Sequence, residues 1–466
     1  MADWQVTEVS EFLKERVGKY KPSDPIVSKL KRLDKIDFSG GMHFSDKSSK
    51  TDMIIAKKGD LVISGINVAK GALAVYGGDV DITATIHYSS YQFDDKKINV
   101  EYFKRFLKSP KFIQLLKDQV KGGIKTEIKP KHLLPLKIDL PDIDTQKSIV
   151  EFFKRTENEI GDIDFHISQQ SDNLKQLRQA ILQEAVEGKL TATWREQQWN
   201  KLAAETGKNL SELRELCEND PNYSAKALLE KIKAEKDRLA KDTKGTKKIK
   251  ELPPISEAEK PFTLPEGWVW CRLTGLINKF STGPFGTMLH KSDYVQDGIP
   301  LVNPMNIVAN QIVANKKMMV SQTTKNRLSR YILDMNDVVL ARRGDLSKCA
   351  VVSENEKGWL CGTGSFFIKV SNFINKGFFI QGFISDYFQK ELLCNSIGQT
   401  MNNLNQSVLR NAVFALPPLA EQQAIVEKVD RLMAKIDVLE KQVKSRKAQV
   451  GQLMQAVLRE AFNGVS

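Results

Sequence analysis

Two long stretches of the chain, 144–190 and 418–464, carry apolar residues at alternating steps of three and four positions. This spacing puts the apolar residues on one face of a helix and is typical of a coiled coil. We therefore predict two long helices that pair antiparallel within the chain. The predicted seam residues are Ile149, Phe153, Ile160, Ile163, Ile167, Leu174, Leu177 and Ile181 in the first helix, and Ile425, Val429, Leu432, Ile436, Leu439, Val443, Val450, Leu453 and Val457 in the second.

Both predicted seams are broken by a polar residue at the same place, Gln170 in the first and Arg446 in the second. Such a pair either fixes the register of the two helices or is a tolerated defect, and the sequence leaves both interpretations open. Each helix follows a boundary marked by proline, LPDIDTQ or LPPLAEQ, and ends near a glycine, Gly188 or Gly464.

The rest of the chain alternates short apolar runs with turn residues and amphipathic pieces. DLVIS, ALAVYG, DVVLA, CAVVS and SFFIKV are typical of strands, whereas 101–119 and 379–396 are typical of helices. This mixture predicts an α+β fold with two α/β domains separated by two long antiparallel coiled-coil helices. The predicted segments are domain 1 (1–143), long helix 1 (144–190), a helical and charged linker (191–262), domain 2 (263–417) and long helix 2 (418–464).

An internal repeat relates the two halves. A shift of 276 residues lays 174–190 on 450–466 with eight identities in seventeen positions. The same shift superimposes Leu140 on Leu416, Pro141 on Pro417 and Gln146 on Gln422, and further upstream a shift of 277 lays 59–75 on 336–352. A register that holds over this distance indicates two copies of one unit, each a globular segment followed by a long helix.

The net charge of +13 is concentrated in two segments. Residues 104–137 carry ten Lys and Arg against two Asp and Glu, and residues 226–250 carry ten against four. Concentrated positive charge favours a polyanionic partner such as DNA or RNA. The alternative for 226–250 is a solvated, lysine-rich helix that continues into a linker.

The motifs of a self-contained active site are missing from the sequence. There is no phosphate-binding G-x-x-x-x-G-K-[ST] loop and no dinucleotide-binding G-x-G-x-x-G motif. The five histidines are scattered singly and the five cysteines form no C-x-x-C pair, which disfavours a metal site. No stretch approaches the roughly 20 apolar residues of a membrane span, and the first thirty residues do not resemble a signal peptide. We expect a cytoplasmic protein that is not itself an enzyme.

Several phrases of the sequence, in order, resemble the specificity subunits (HsdS-like) of type I restriction–modification systems. LPDIDTQKSIVEFF and LPPLAEQQAIVEKV resemble the start of the long helices in that family, and QAILQEAVEGKLTATWR and QAVLREAFNG resemble the helix ends. LPEGWVWCRL, at 264–273, resembles the opening of a target recognition domain. The first copy lacks this phrase, and Trp4-Gln5-Val6 is its only counterpart.

The resemblance implies a subunit without catalytic activity that takes part in phage defence. Each target recognition domain reads one half of a bipartite, asymmetric site in double-stranded DNA. The long helices space the two domains and bind two methyltransferase subunits, which methylate adenine at N6. Restriction subunits add ATP-dependent cleavage. The resemblance therefore implies no metal or cofactor in this chain, and places S-adenosylmethionine, ATP and Mg on the partner subunits.

Polar loops at equivalent places in the two copies are the candidates for DNA contact. Asn, Ser, Thr and Arg side chains present hydrogen-bonding groups to bases, whereas Lys binds phosphate. The alternative in each case is an ordinary turn packed on its own domain. The candidates are Ser64, Asn67 and Lys70 with Arg342, Arg343 and Lys348; Lys125, Thr126, Lys129 and Lys131 with Asn402 and Asn405; and Thr282, Phe285, Asn303 and Asn306.

Two other functions remain open from the sequence alone. A coiled-coil adaptor that does not read DNA would explain the helices, but it has no need of the basic tract at 104–137. A stand-alone DNA-modifying enzyme would require motifs that this sequence does not display.

Overall fold

The computed structural model describes residues 4–46, 49–67, 70–119, 127–242, 252–285, 287–394 and 404–462. The chain divides into two compact units, one formed by 1–170 with 442–466 and the other by 171–441. Each unit contains both strands and helices, and the two long helices cross the boundary between them. The predicted α+β fold with two strand-rich domains and two long helices is confirmed.

The described residues of the first unit form three sheets and four short α-helices before the first long helix. Its strands are β1 (Gln5–Glu8), β2 (Leu13–Glu15), β3 (Lys31–Ile36), β4 (Met42–Ser45), β5 (Met53–Ala56), β6 (Leu61–Ser64), β7 (Leu73–Val75), β8 (Ile82–Thr85), β9 (Tyr88–Phe93) and β10 (Lys137–Leu140). Its helices are α1 (Pro25–Ser28), α2 (Val100–Lys108), α3 (Pro110–Gln119), α4 (Pro130–Leu133) and the start of α5 (Ile143–Val186). The strands pair in the orders β1-β10, β2-β9-β6-β7 and β4-β3-β8-β5.

The sheet β2-β9-β6-β7 is central to this unit because β6 is buried on both faces. Leu61 and Ile63 pack with the aromatic side chains of α2, whereas Val62 belongs to the core of the sheet β4-β3-β8-β5. A strand that is covered on both sides reads as a continuous apolar run, as LVIS does.

The second unit repeats this plan and adds a helical segment before it. Its helices are α6 (Ala192–Thr206), α7 (Leu210–Cys217), α8 (Ala225–Asp242), α9 (Leu273–Leu276), α10 (Gln322–Arg327), α11 (Lys376–Phe383), α12 (Asp386–Cys394), α13 (Gln406–Asn411) and most of α14 (Leu419–Phe462). Its strands are β11 (Val269–Arg272), β12 (Ile277–Thr282), β13 (Tyr294–Val295), β14 (Ile299–Val302), β15 (Ile307–Val308), β16 (Gln311–Ile312), β17 (Met319–Val320), β18 (Asp337–Ala341), β19 (Cys349–Val351), β20 (Leu360–Cys361), β21 (Ser365–Val370) and β22 (Val413–Leu416). The strand orders are β11-β22, β12-β21-β18-β19, β13-β17-β14-β20 and β15-β16.

The segment predicted as a helical and charged linker, 191–262, forms three α-helices in its described residues, and the third is part of the core. Ala225, Leu228 and Ile232 of α8 are fully buried in the main apolar cluster of the second unit. The polar side of α8 is also anchored, because the Glu235 carboxylate accepts hydrogen bonds from Ser371 and Asn278. In the sequence this narrow apolar stripe is hard to recognise, because lysines occupy many of the other positions of α8.

A buried glutamine at the start of each long helix explains part of the internal repeat. The Gln146 Oε1 accepts the backbone N–H of Asn99 at 2.8 Å, and its Nε2 donates to the carbonyl of Pro141 at 2.8 Å. Gln422 repeats both bonds at 2.9 and 3.2 Å, with Asn375 and Pro417. The shared Pro and Gln therefore serve the same function in both units, which is to fix the helix start against the adjoining domain.

The strand pairing also identifies the start of the first copy. Gln5 pairs with Leu140 in the antiparallel ladder β1-β10, and Val269 pairs with Leu416 in β11-β22. Because Leu140 and Leu416 are equivalent in the repeat, Trp4 occupies the place of Trp268. The short Trp4-Gln5-Val6 phrase is thus the structural counterpart of the opening of the second domain.

The long helices run antiparallel within the second unit. The Arg178 guanidinium binds the carboxylate of Glu440 at 2.8 Å, and the Lys428 ammonium donates to the carbonyl of Leu190 at 2.8 Å. A residue later in the stretch formed by α5 and the turn after it thus meets a residue earlier in α14. Ile181 of α5 and Ile425 of α14 are buried in the same core.

The first unit shows the same antiparallel arrangement. The rings of Phe153 and Phe462 stack with their centroids 5.6 Å apart, and Phe462 also contacts the ring of Tyr102. The Lys447 ammonium lies 3.4 Å from the hydroxyl of Ser168. Phe153 and Phe462 are fully buried, so the helices are part of the core of this unit.

The predicted seam is wrong at four positions, although its other members are buried or half-buried. The four residues are 43–45% exposed, and they are Ile163, Leu177, Leu439 and Leu453. The residue that follows each of them in the sequence is half-buried instead. These half-buried residues are Asp164, Arg178, Glu440 and Met454. Gln170 and Arg446 are exposed, so they do not form the polar interruption. The prediction failed at three of these positions because it followed apolar residues where the seam accepts charged ones, and at the fourth because Met454 rather than Leu453 is half-buried.

Among the described residues, no helix combines the length and the apolar character needed to cross a membrane.

Asp60, at the start of β6, has a dense set of partners. The Arg16 guanidinium donates two hydrogen bonds to its carboxylate, at 2.6 and 2.8 Å, and the hydroxyl of Ser90 donates a third at 2.8 Å. Burial raises the pKa of Asp60, but the bonds from Arg16, from the backbone N–H of Lys57 and from Ser90 outweigh it, so the net pKa is lowered.

Because the pKa of Asp60 is lower in the folded than in the unfolded chain, its carboxylate stabilises the fold above the unfolded pKa of about 3.9. That contribution disappears as the pH falls through the folded pKa. We expect Asp60→Asn to lower the free energy of unfolding by about 1–3 kcal/mol at pH 7. The difference from the wild type should shrink below about pH 4.

Denaturant unfolding at a series of pH values measures this difference. Asp79→Asn is the matched control, because the Asp79 side chain is 85% exposed and pairs only with Lys58 among the described residues. A loss for Asp60→Asn that is independent of pH would contradict the assignment.

Candidate nucleic-acid interface

Several loops meet at one end of the sheet β12-β21-β18-β19 in the second unit. Antiparallel pairing sets Thr282 opposite Phe366 and Ala341 opposite Ser365, so that β12 and β18 end where β21 begins. The loops 283–285, 342–348 and 362–364 therefore share this end. Loops at the end of a rigid sheet are a common place for binding residues.

Two backbone hydrogen bonds hold the residue that follows β18. The N–H of Arg342 donates to the carbonyl of Gly364 at 2.9 Å, and the N–H of Leu404 donates to the carbonyl of Arg342 at 3.0 Å. The second bond brings the segment before α13 to the same end of the sheet.

The first unit has the same two bonds at the equivalent place. The N–H of Gly65, which follows β6, donates to the carbonyl of His87 at 2.9 Å. The N–H of Ile128 donates to the carbonyl of Gly65 at 2.9 Å. The two loop pairs singled out from the sequence thus lie side by side in each unit, on one backbone framework.

The Arg342 side chain is the most distinctive group at this end of the second unit. Its guanidinium carbon lies 5.5 Å from the ring centroid of Phe285 and 5.8 Å from that of Phe366. Its Nε is buried and has no hydrogen-bond partner among the described residues. Burial, and then the charge of Arg343, lower the pKa of Arg342. Arg343 itself is exposed.

The other candidates near Arg342 are partly engaged by the fold. Thr282 accepts a hydrogen bond from the amide of Gln406 at 2.7 Å, and Asn405 caps α13 by accepting the N–H of Val408 at 2.9 Å. The Lys348 ammonium donates to the carbonyl of Pro304 at 3.2 Å.

Asn303 and Asn306 build the loop that they occupy. Both are buried, and the Asn306 amide accepts the N–H of Asn303 at 3.0 Å and donates to the carbonyl of Val313 at 2.8 Å. The Asn303 Oδ1 accepts the N–H of Gly364 at 3.2 Å. Their amides are thus hydrogen-bonded inside the domain, as in the alternative interpretation of an ordinary packed turn.

In the first unit the candidates are spread around Gly65. Ser64 is buried, Asn67 is half-buried, and its carbonyl accepts the backbone N–H of Lys70 at 3.0 Å. The Lys70 ammonium lies 5.6 Å from the ring centroid of Phe38. Lys129 and Lys131 are exposed beyond the Ile128 segment. Lys125, Thr126 and Asn402 lie outside the described residues.

At least four of the ten cations in the basic tract at 104–137 are bound inside the first unit. Arg105 binds the carboxylates of Glu101 and Glu157 at 2.8 and 2.7 Å, and Lys111 binds Asp139 at 2.8 Å. Lys104 and Lys108 donate to the backbone carbonyls of Ser39 and Phe38. The charge count of this tract therefore overstates the positive charge available to a polyanion.

Three side chains at these sheet ends were not predicted. His87 precedes β9 and its Nδ1 lies 3.1 Å from the Glu127 carboxylate. Phe366 and Gln406 reach Arg342 and Thr282 through the fold. The repeat offset aligns His87 with Gly364, which lies at the equivalent sheet end, so the repeat could have identified His87 as a candidate. No pattern in the sequence around Phe366 or Gln406 indicates that they lie at this end.

A protein-family model described as "Type I restriction modification DNA specificity domain" matches residues 265–446. The EcoAI specificity subunit of Escherichia coli is 30% identical over 264 residues, which cover 54% of this chain and 43% of that protein. The chain thus matches less than half the length of that relative. The EcoBI specificity subunit of Escherichia coli is 24% identical over 400 residues, covering 84% of this chain and 73% of its own length.

A solved structure from a study of the assembly and conformational transition of the type I restriction–modification system has the same fold. It superimposes with a TM-score of 0.60 at 14% sequence identity, covering 99% of this chain and 97% of that one. By the family model over its second domain and by the curated relatives, the chain is similar to the specificity subunits of type I restriction–modification systems, and it shares its fold with the solved structure.

Proposed function

We propose that this chain is the non-catalytic subunit that gives a type I restriction–modification complex its DNA sequence specificity. Each unit reads one half of a bipartite, asymmetric target in double-stranded DNA. The long helices bind two methyltransferase subunits and set the distance between the half-sites. Adenine N6 methylation, and ATP-dependent cleavage by restriction subunits, are carried out by these partners in the cytoplasm. S-adenosylmethionine, ATP and Mg are bound by the partners.

One observation supports DNA reading most directly: the two units share the same backbone framework at one sheet end but carry different side chains on it. Gly65 and Arg342 make the same pair of backbone hydrogen bonds at the same end of equivalent sheets. The surrounding side chains differ, with Asn67 and His87 in one unit and Arg343 and Phe285 in the other. Equivalent frameworks that carry unlike side chains are suited to reading two different sequences.

Exposed cations near these loops can bind the DNA backbone. Arg343 in the second unit, and Lys129 and Lys131 in the first, are exposed beside the candidate base-reading loops. Contacts of this kind position a protein on DNA without selecting a sequence.

The helices carry exposed apolar residues that favour a bound partner. Leu177 of α5 and Leu439 of α14, in the second unit, are 45% and 44% exposed. In the first unit, Ile163 and Leu453 are each 43% exposed. Apolar residues that recur on the outside of paired helices are typical of surfaces that bind further helices. We assign these two pairs to the methyltransferase subunits, one pair for each copy.

Methylation in cells tests the proposed function. The chain is co-expressed with the methyltransferase subunit encoded in the same operon, and N6-methyladenine is mapped in the host DNA by single-molecule sequencing. We expect a bipartite, asymmetric methylated motif that is lost when either subunit is omitted. A stable complex that methylates no defined motif would instead support a helical adaptor without DNA-reading function.

A double substitution, Leu177→Glu with Leu439→Glu, tests the helix assignment. Both side chains are largely exposed, so the fold should remain while burial of two carboxylates at the interface becomes unfavourable. We expect at least a 100-fold loss of affinity for the methyltransferase subunit at this site, from about 1–3 kcal/mol or more per buried unpaired group.

Size-exclusion chromatography and calorimetry of the mixed subunits measure this loss. Gln170→Glu with Gln176→Glu is the matched control, because both glutamines are exposed polar residues of the same helix. Unchanged binding by the leucine variant, with its thermal unfolding intact, would refute the assignment of this surface.

A further inference from the structure

Arg342 has an uncompensated charge in a confined place. Its guanidinium lies within 6 Å of the ring centroids of both Phe285 and Phe366, and among the described residues it makes neither a hydrogen bond nor an ion pair. Its nearest charged neighbour in the chain is a second cation, Arg343. Aromatic faces stabilise a guanidinium but leave its hydrogen-bond donors unsatisfied. The buried Nε has no partner among the described residues, which is costly, whereas the two terminal nitrogens of the guanidinium are not buried and can donate to an acceptor on a bound ligand.

The backbone of Arg342 is held by the strand before it and by two hydrogen bonds. Arg342 follows β18, all five residues of which are buried, and its backbone is bonded on one side to Gly364 and on the other to Leu404. Two aromatic rings further restrict its side chain. A planar group held in one orientation loses little conformational entropy when it binds, which favours selective recognition.

The neighbouring cations lack these restraints or are already bound. Arg343 is exposed and has no hydrogen-bond or ion-pair partner among the described residues. Lys348 is committed to the carbonyl of Pro304 at 3.2 Å. The Asp345 carboxylate accepts hydrogen bonds from Ser347 and forms no ion pair with either arginine among the described residues. The loop thus offers one fixed guanidinium and one free one.

A fixed guanidinium with free donors matches the edge of a guanine base. The O6 and N7 atoms of guanine are two adjacent acceptors in the major groove, and bidentate binding by arginine is the commonest base-specific contact. A mobile arginine on the surface suits a phosphate, which can be bound from many directions.

We propose that Arg342 reads a guanine in the half-site bound by the second unit, with Phe285 and Phe366 as positioning residues, and that Arg343 binds a DNA phosphate. This inference rests on the proposed DNA-reading function. It adds a base identity and a division of roles between two adjacent arginines.

The first unit cannot make this contact. Gly65 occupies the equivalent position, and a Cβ there would lie 2.7 Å from the carbonyl oxygen of Ile128 and 3.3 Å from that of His87. A side chain at Gly65 would therefore require the backbone to move. The guanine contact belongs to one half-site only, which contributes to the asymmetry of the target.

The test uses complexes of the chain with its methyltransferase subunit. Motif mapping with the wild-type chain gives the two half-sites. Each guanine of the motif is then replaced in turn in a DNA duplex. Discrimination at that position is the ratio of the methylation rates of the original and the altered duplex. Arg342→Met is the principal variant, because an unbranched apolar side chain can keep contact with the two rings without carrying the charge.

For Arg342→Met we expect discrimination at one guanine to fall by about 5- to 150-fold, with the other positions of the motif unchanged. Its thermal midpoint should be no lower than that of the wild type, because an unpaired charge has been removed. Arg342→Lys should recover part of the discrimination. Arg343→Ala should reduce methylation at all sites about equally and weaken its dependence on salt.

Three results would overturn the inference. One is a wild-type motif in which the half-site read by the second unit contains no guanine. Another is an Arg342→Met variant that keeps full discrimination but unfolds at lower temperature, which would make the arginine a structural residue. The third is the absence of any methylated motif with the wild-type chain, which refutes the proposed function and the inference with it.

Discussion

The orientation of each domain on its long helix depends on one buried amide. Gln146 and Gln422 are fully buried, and each satisfies a backbone N–H and a proline carbonyl at the point where a strand ends and a helix begins. A buried amide is stable only when its hydrogen bonds are made. The strand end, the start of the long helix and the N-cap residue of α2 or α11, Asn99 or Asn375, therefore have to meet in one geometry. The sheet-end loops are positioned by this framework in both units. The loop residues can then differ without affecting the framework.

The sequence predicts the helices and the repeat well because both depend on local or periodic signals. The long helices, predicted at 144–190 and 418–464, are observed at Ile143–Val186 and Leu419–Phe462. The repeat also pairs Gly65 with Arg342 correctly, since the offset between the two copies is nearly constant along the chain. Periodicity could not distinguish Ile163 from Asp164 as the seam position, because a charged residue such as Arg178 is stable there when Glu440 lies opposite.

The errors concern residues whose partners are far away in the chain. Composition predicts a helical and charged linker at 191–262, but it does not indicate that Leu228 and Ile232 of α8 are buried in the core of the second unit. Asn303 and Asn306 look like free recognition residues until their loop closes and uses both amides. Arg342 was among the predicted contacts, but its environment depends on Phe366, which only the antiparallel pairing brings within reach. The residue types and their loops therefore predicted the candidates. The tertiary structure distinguishes side chains that are available to a ligand from those already hydrogen-bonded within the domain.

The central claim is that the equivalent sheet-end loops of the two units are the surfaces that bind DNA. Hydrogen–deuterium exchange of the complex with its methyltransferase subunits, with and without a duplex that carries the methylated motif, tests it most directly. We expect slower exchange at 65–67 and 127–129 in the first unit and at 342–348 and 404–406 in the second, and little change with a scrambled duplex. Slower exchange confined to the basic helix α8, with these loops unchanged, would contradict the claim.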